Sequence, residues 1–225
     1  ALKGGADFAE VYAQRAKKRR MKVRQGALEE ALSGLDYGAG VRLFFGTEVV
    51  YAYTNDLTQE GLMEALETLL RAKGALGKVD EGGKGGLDFR KATPKGLHAP
   101  KVPYGEKDKR YRLERLLEAE AGARIAPAIK QVEASLLEWE EEVLVANTEG
   151  VFAEEKRVRT RLFVLAVAQD GAEVQTGYSA PGKSVGLELF DLYPPKAVGE
   201  KAARQALTNL KARPAPAGTF PVVVG

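Results

Sequence analysis

Tyr51, Tyr53, Thr54, Asn55 and Asp56 bring two phenols, a hydroxyl, an amide and a carboxylate to the point where an apolar run meets a helix start. A polar-aromatic corner of this kind can line a pocket, and Tyr51, Tyr53 and Asn55 are the candidate substrate-binding residues. Turn and capping chemistry explains Thr54, Asn55 and Asp56 equally well, because short polar side chains hydrogen-bond their own backbone in turns. Both readings stay open on the sequence.

Catalytic chemistry has little to work with. The chain has one His, His98, and no Cys. Structural zinc takes four N or S ligands, and catalytic zinc takes three protein ligands rich in His. A metal site here would be built mostly of carboxylates, which favours Mg or Ca. Cysteine-based chemistry is excluded, and a Ser-His-Asp triad is excluded unless His98 is its base. His98 stands between Leu97 and Ala99 in a Pro-rich stretch, where a lone His reads as an exposed loop residue. No catalytic residue and no metal ligand is assigned.

Other stretches invite functional readings and receive structural ones. Residues 15–24 hold seven basic side chains in ten positions. That is a possible anionic-surface patch, but no aromatic interleaves it for base stacking, and it reads as the solvated face and tip of a strand hairpin. Glu138, Glu140, Glu141 and Glu142 surround Trp139. Neighbours on a strand point to opposite faces and do not converge on a metal, so these read as an exposed strand end. Gly82-Gly83-Lys84-Gly85-Gly86 lacks the spacing and flanking elements of a phosphate loop. Gly38-Ala39-Gly40 leads into a strand rather than a helix and reads as structural.

The elements that would position these residues follow from periodicity. Residues 10–16, 20–24, 27–32, 38–45 and 48–53 read as strands, the last two joined by Gly46-Thr47 in a type II′ turn. Thr58 caps a helix whose stripe is Leu62, Ala65, Leu66, Leu69 and Leu70, with Lys73-Gly74 at its end. Residues 74–86 hold six glycines, and Pro94, Pro100 and Pro103 follow, which together read as a linker. A second helix is expected over 105–121, ended by Gly122. Strands are expected at 129–139, 142–146, 151–153, 157–169 and 172–178, with a type I′ turn at Asp170-Gly171. Pro194-Pro195 opens a third helix, and 220–224 is a last apolar strand. Strands cluster in meanders instead of alternating with helices, which predicts an α+β fold with antiparallel sheets. The expected organisation is an N-terminal α+β subdomain at 1–74, a Gly/Pro-rich linker at 75–104 and a second α+β region at 105–225.

Composition sets the frame. Hydrophobic residues make up 44% and charged residues 29% of the 225, enough for a globular core. The net charge of +3 is too small to demand a nucleic-acid partner. No apolar run reaches the roughly 18 residues of a membrane helix, and the charged first 25 residues hold no signal-peptide core. The absence of Cys fits a cytoplasmic protein.

Several segments, in order, resemble the TldD/PmbA family, once called modulators of DNA gyrase. They are Gly5-Ala6-Asp7-Phe8-Ala9-Glu10-Val11-Tyr12, Gly40-Val41-Arg42, and Tyr51-Ala52-Tyr53-Thr54-Asn55-Asp56-Leu57. Asn147-Thr148-Glu149-Gly150-Val151, Val198-Gly199-Glu200-Lys201-Ala202-Ala203 with Leu210, Pro216-Ala217-Gly218 and Pro221-Val222-Val223-Val224 continue the series. The resemblance implies a relationship to zinc metallopeptidases that act on unfolded or modified peptides. It also implies a homodimer, or a heterodimer with a related subunit, TldE or PmbA, that lacks the metal motif. The family's His-Glu-x-x-x-His motif does not occur here, so the resemblance carries over no catalytic residue. This chain is expected to bind no cofactor itself, with zinc expected in a C-terminal half that follows it. It is therefore read as the non-catalytic front portion of a larger protein, helping to shape a peptide cavity and a subunit interface. The alternatives are a PmbA-like partner subunit or a gyrase-associated binding module.

Overall fold

A computed structural model describes residues 1–74, 88–92, 99–213 and 217–223. Among these residues eight strands build one sheet: β1 (Phe8–Arg24), β2 (Ala27–Phe45), β3 (Glu48–Thr54), β4 (Arg90–Ala92), β5 (Ile129–Asn147), β6 (Val151–Asp170), β7 (Glu173–Ser179) and β8 (Gly182–Lys183). The order is β3-β2-β1-β5-β6-β4, with β7 and β8 also pairing with β6. Every pairing is antiparallel except the short β4–β6 pair, which is parallel. Among the described residues four α-helices accompany the sheet: α1 (Gln59–Ala72), α2 (Lys109–Ala123), α3 (Leu189–Leu192) and α4 (Pro195–Leu210). The expected α+β fold of antiparallel meanders with packed helices is what forms. The early and late strand blocks share the sheet because β1 pairs with β5 continuously, from Glu10↔Asn147 to Arg24↔Glu133.

The strands are longer than hydrophobic alternation predicts. β5 joins the expected strands at 129–139 and 142–146 into 19 residues, and β6 likewise joins 151–153 to 157–169. The charged residues that look like breaks are cross-strand partners. Lys17 faces Glu140, Arg15 faces Glu142, and Glu141 faces Arg157. Opposite charges at facing positions stabilise a ladder by a few tenths of a kcal/mol to about 1 kcal/mol per pair. The basic run thus lies between carboxylates on both sides: Lys18 bonds Asp36 at 2.5 Å, Lys22 bonds Glu29 at 2.9 Å, and Arg24 bonds Glu133 at 2.8 Å.

Register assigns the faces. Odd residues of β1 and even residues of β5 and β6 lie on one face, and the apolar residues of that face form two clusters. One sets Met21, Val23, Val132, Leu136, Leu162 and Val164 against Leu116 of α2 and Ala202 and Ala206 of α4. The other sets Ala9, Val41 and Leu43 against Leu69 and Leu70 of α1. Each fully buried Leu or Val contributes roughly 1.5–3 kcal/mol. The opposite face carries Tyr12, Lys18, Tyr51, Tyr53, Trp139 and Arg159, and no helix among the described residues covers it.

Several local expectations change. Gly122 does not end α2. The helix runs through Ala123, and a Cβ at Gly122 would lie 2.4 Å from the Lys196 carbonyl, so this glycine lets α4 approach. α2 starts at Lys109 under an Asp108 cap rather than at 105. The β6–β7 loop is Gly171-Ala172, one residue later than expected, and Asp170 pairs with Glu173. Only Gly171 has positive φ, at 58°, which suits a type II′ turn rather than type I′. Described residues 219–223 form no strand, because no neighbouring strand bonds their backbone; Val223 is 96% exposed. Glu138 and Glu141 are buried mid-strand rather than at an exposed strand end. His98 and the Gly82–Gly86 run lie outside the described residues.

Candidate functional site

The β3–α1 corner divides its labour between turn and groove. Thr54 Oγ1 accepts from the Asp56 N–H at 3.0 Å. Asp56 Oδ1 accepts from Thr58 N–H at 2.9 Å and from Thr58 Oγ1 at 2.6 Å. Thr58 Oγ1 in turn accepts from Gly61 N–H at 3.1 Å, capping α1. The Thr58 hydroxyl, and then its N–H, hold the Asp56 carboxyl below the usual carboxylate range. Thr54 and Asp56 therefore serve the turn, and Asn55 is left for the groove.

Tyr51, Tyr53 and Asn55 come together on the uncovered face. They line an open depression of about 280 Å³ with Tyr12, Gln14 and Asp36, floored by Gly38 and Gly40. The register explains the meeting. Tyr12 of β1 faces Gly40 of β2, and Gly40 faces Tyr53 of β3. The Tyr51 ring lies over Gly40, where an added Cβ would come 2.6 Å from Tyr51 Oη. Tyr53 is 75% exposed and Tyr51 61%. Tyr12 donates to Gln14 Oε1 at 3.2 Å. Burial raises the Tyr12 phenol pKa and Glu141 adds to this, against the opposing pull of Arg157 and Arg159. The groove offers aromatic walls, amides and phenols, but no nucleophile paired with a base. These groups could stack and hydrogen-bond a ligand but not break a bond in it.

Sequence reasoning missed Tyr12 and the role of Gly38 and Gly40. Alternation placed all of them on strands, but their meeting depends on the β1–β2 register, which no local signal gives.

A zinc site does not fit the described residues. They contain no grouping of three or more His, Cys, Asp or Glu side chains able to hold a metal. The carboxylates around Trp139 include two held in ion pairs. Glu138 is bound by Arg112, and Glu142 by Lys156 at 2.7 Å.

Fold and groove together define a single sheet with helices packed on one face and a polar-aromatic groove on the other, open face. Residues 9–73 match the model of the PmbA/TldA metallopeptidase domain 1, and residues 100–210 match that of the PmbA/TldA metallopeptidase central domain. The chain belongs to the TldD/PmbA family. It is 29% identical to a metalloprotease TldD homolog of Haemophilus influenzae, over 97% of this chain and 46% of that protein. It is 26% identical to a metalloprotease of Methanothermobacter thermautotrophicus, over 96% of this chain and 46% of that protein. The chain thus spans about half the length of these relatives. Its fold matches that of a Thermotoga maritima protein described as a proposed modulator of DNA gyrase. The TM-score is 0.71 at 16% identity, over 97% of this chain and 48% of that one. TldE from Thermococcus kodakarensis matches with TM-score 0.62 at 16% identity, over 91% and 45% of the two chains. No described helix is long and apolar enough to cross a membrane.

Proposed function

We propose that this chain is the N-terminal, non-catalytic portion of a cytoplasmic TldD-like zinc metallopeptidase acting on unfolded or modified peptides. In this reading it contributes a wall of the substrate cavity and part of an interface with a second copy or a related subunit. The observation that carries the reading is the run of the match: two family domains in order, along nearly the whole chain, with relatives named as metalloproteases. The zinc belongs, in this reading, to a part of the parent protein outside these residues, where it would activate water for attack on a peptide carbonyl. This chain's own residues bind and orient. β3 ends the sheet, so its outer backbone edge can accept an extended peptide as an added strand. Tyr51, Tyr53 and Asn55 stand beside that edge.

The test is steady-state hydrolysis of an unfolded peptide by the complete parent protein carrying Tyr51→Ala and Tyr53→Ala. A raised KM with kcat kept supports the groove as a substrate contact, and an unchanged KM removes it from substrate binding. The likeness to TldE favours a second reading, a non-catalytic partner subunit. A His-Glu-x-x-x-His motif elsewhere in the parent protein selects the enzyme, and its absence there selects the partner. The carboxylates flanking the basic run speak against a DNA-binding role.

A further inference from the structure

A second and larger concavity opens on the same uncovered face. It is a trough of about 920 Å³, near the upper end of the roughly 300–1,000 Å³ typical of ligand clefts. Trp139, Leu137 and Leu32 supply its apolar lining. The register sets Lys18, Trp139 and Arg159 side by side on β1, β5 and β6. Lys18 Nζ lies 4.7 Å and the Arg159 guanidinium 5.6 Å from the centroid of the indole ring.

Charge in the trough is one-sided. Lys18, Arg20, Arg159, Arg161 and Lys183 are the cations of the lining, whereas Arg19 and Glu138, which border it through the strands, turn their side chains to the helix-covered face. Two of the cations are committed: Lys18 bonds Asp36, and Arg20 lies 3.3 Å from Glu30. On the other face Arg19 lies 3.6 Å from Glu138. Glu138 is in turn held by Arg112. Arg159, Arg161 and Lys183 are exposed and form no ion pair among the described residues, although Arg161 also lies over the Phe163 ring.

We propose that this trough binds an extended acidic peptide segment carrying apolar side chains. The Trp and Leu lining takes the apolar side chains, and the three free cations take the carboxylates. An open trough crossing several strands suits a chain better than a compact molecule. Nucleic acid fits less well, because Trp139 is the one aromatic residue of the lining and a single strand needs successive rings on which to stack its bases. A second copy docked face to face would set these cations against their own counterparts. The inference stands apart from the peptidase reading, since binding is measured without hydrolysis.

Trp139 is the only Trp in the chain, so its emission reports on this trough alone. The test is a fluorescence titration of the chain with a short Trp-free peptide of Glu and Leu. The expected result is a saturable change that weakens with added salt, while a Lys/Leu peptide of equal length has no effect. Affinity falls roughly threefold to tenfold in Arg161→Gln/Lys183→Gln, as loss of two exposed charge pairs implies, with far-UV circular dichroism unchanged. In a second variant, Leu32→Ser, affinity for the Glu/Leu peptide drops, but affinity for a Glu/Ser peptide does not. The proposal is overturned by an absent or unsaturable response, by an equal response to the Lys/Leu peptide, or by unchanged affinity in both variants. Tighter binding of a single-stranded oligonucleotide, or self-association that alone shifts Trp139 emission, also overturns it.

Discussion

Arg112 of α2 and Glu138 of β5 form a buried, two-point ion pair, with Nε to Oε1 at 2.5 Å and Nη2 to Oε2 at 3.2 Å. Their side chains are 9% and 2% exposed. The remaining guanidinium donors reach backbone carbonyls, Lys107 O at 2.5 Å, Asp108 O at 3.0 Å and Tyr104 O at 2.7 Å. One side chain thus fixes the start of α2 and the segment before it onto the sheet, behind the strands that carry Trp139 and Arg159.

Arg112→Met leaves Glu138 charged and buried, with only the more distant Arg19 near it. Loss of one partner from such a pair costs about 3–5 kcal/mol. Urea unfolding should show a loss of that size, and the double variant Arg112→Met/Glu138→Leu should recover a large part of it. A loss under about 1 kcal/mol in the single variant would mean that the pair does not anchor α2.

Gly199→Ala should destabilise the protein although Ala is the better helix former by up to about 1 kcal/mol. A Cβ there would lie 1.9 Å from the Ala119 carbonyl oxygen and 2.8 Å from the Ala123 nitrogen. The obstacle is backbone, so α2 and α4 must separate. A net loss of about 1–3 kcal/mol is expected from overpacking, read from the midpoint of thermal unfolding. A gain in stability would contradict the close α2–α4 approach.

Gly40→Ala meets a flexible obstacle instead, the outer end of the Tyr51 ring. Stability should stay within about 1 kcal/mol of the parent, while Tyr51 swings off its floor. NMR shifts of the Tyr51 ring check this directly. Unmoved shifts would show that Gly40 does not seat the ring.

Glu188 fastens residues 101–102 to the segment before α3. Its carboxylate accepts from Lys101 N–H at 2.9 Å and Val102 N–H at 3.0 Å. Burial pushes its pKa up, but these bonds, with the N–H groups of Glu188 and Gly186, outweigh it and hold the pKa below the usual 4.5. Because the folded value is depressed, the stabilisation is present above about pH 4.5 and is lost as pH falls through the lower folded value. Glu188→Gln should cost about 1.5–3 kcal/mol at neutral pH and flatten the acid limb of the stability–pH curve. An unchanged acid limb would remove Glu188 from that role.

Tyr104 illustrates how far the sequence reached. Its phenol bonds Arg159 O and Thr160 Oγ1, each at 2.8 Å, and burial pushes its pKa up to about 12. Nothing in the Pro103-Tyr104-Gly105 stretch announces this, because both partners lie more than fifty positions away. Local signals fared better. Gly46-Thr47 turns the β2–β3 hairpin and Thr58 caps α1, because each depends on neighbours a few residues away. Strand length was hidden, because Glu140, Glu141 and Lys156 read as breaks until their cross-strand partners are known. The groove was half legible. Tyr51, Tyr53 and Asn55 stand out as a corner, but Tyr12 and Gly40 join them only through register.

The most direct measurement is zinc content and peptide hydrolysis, determined side by side on this 225-residue chain and on the complete product of its gene. The account predicts no stoichiometric zinc and no hydrolysis for the chain alone. It predicts about one zinc per chain and cleavage of an unfolded peptide for the complete product. Zinc binding with hydrolysis by the 225-residue chain would contradict the non-catalytic assignment. A complete product with neither would contradict the peptidase reading and leave the partner-subunit reading in its place.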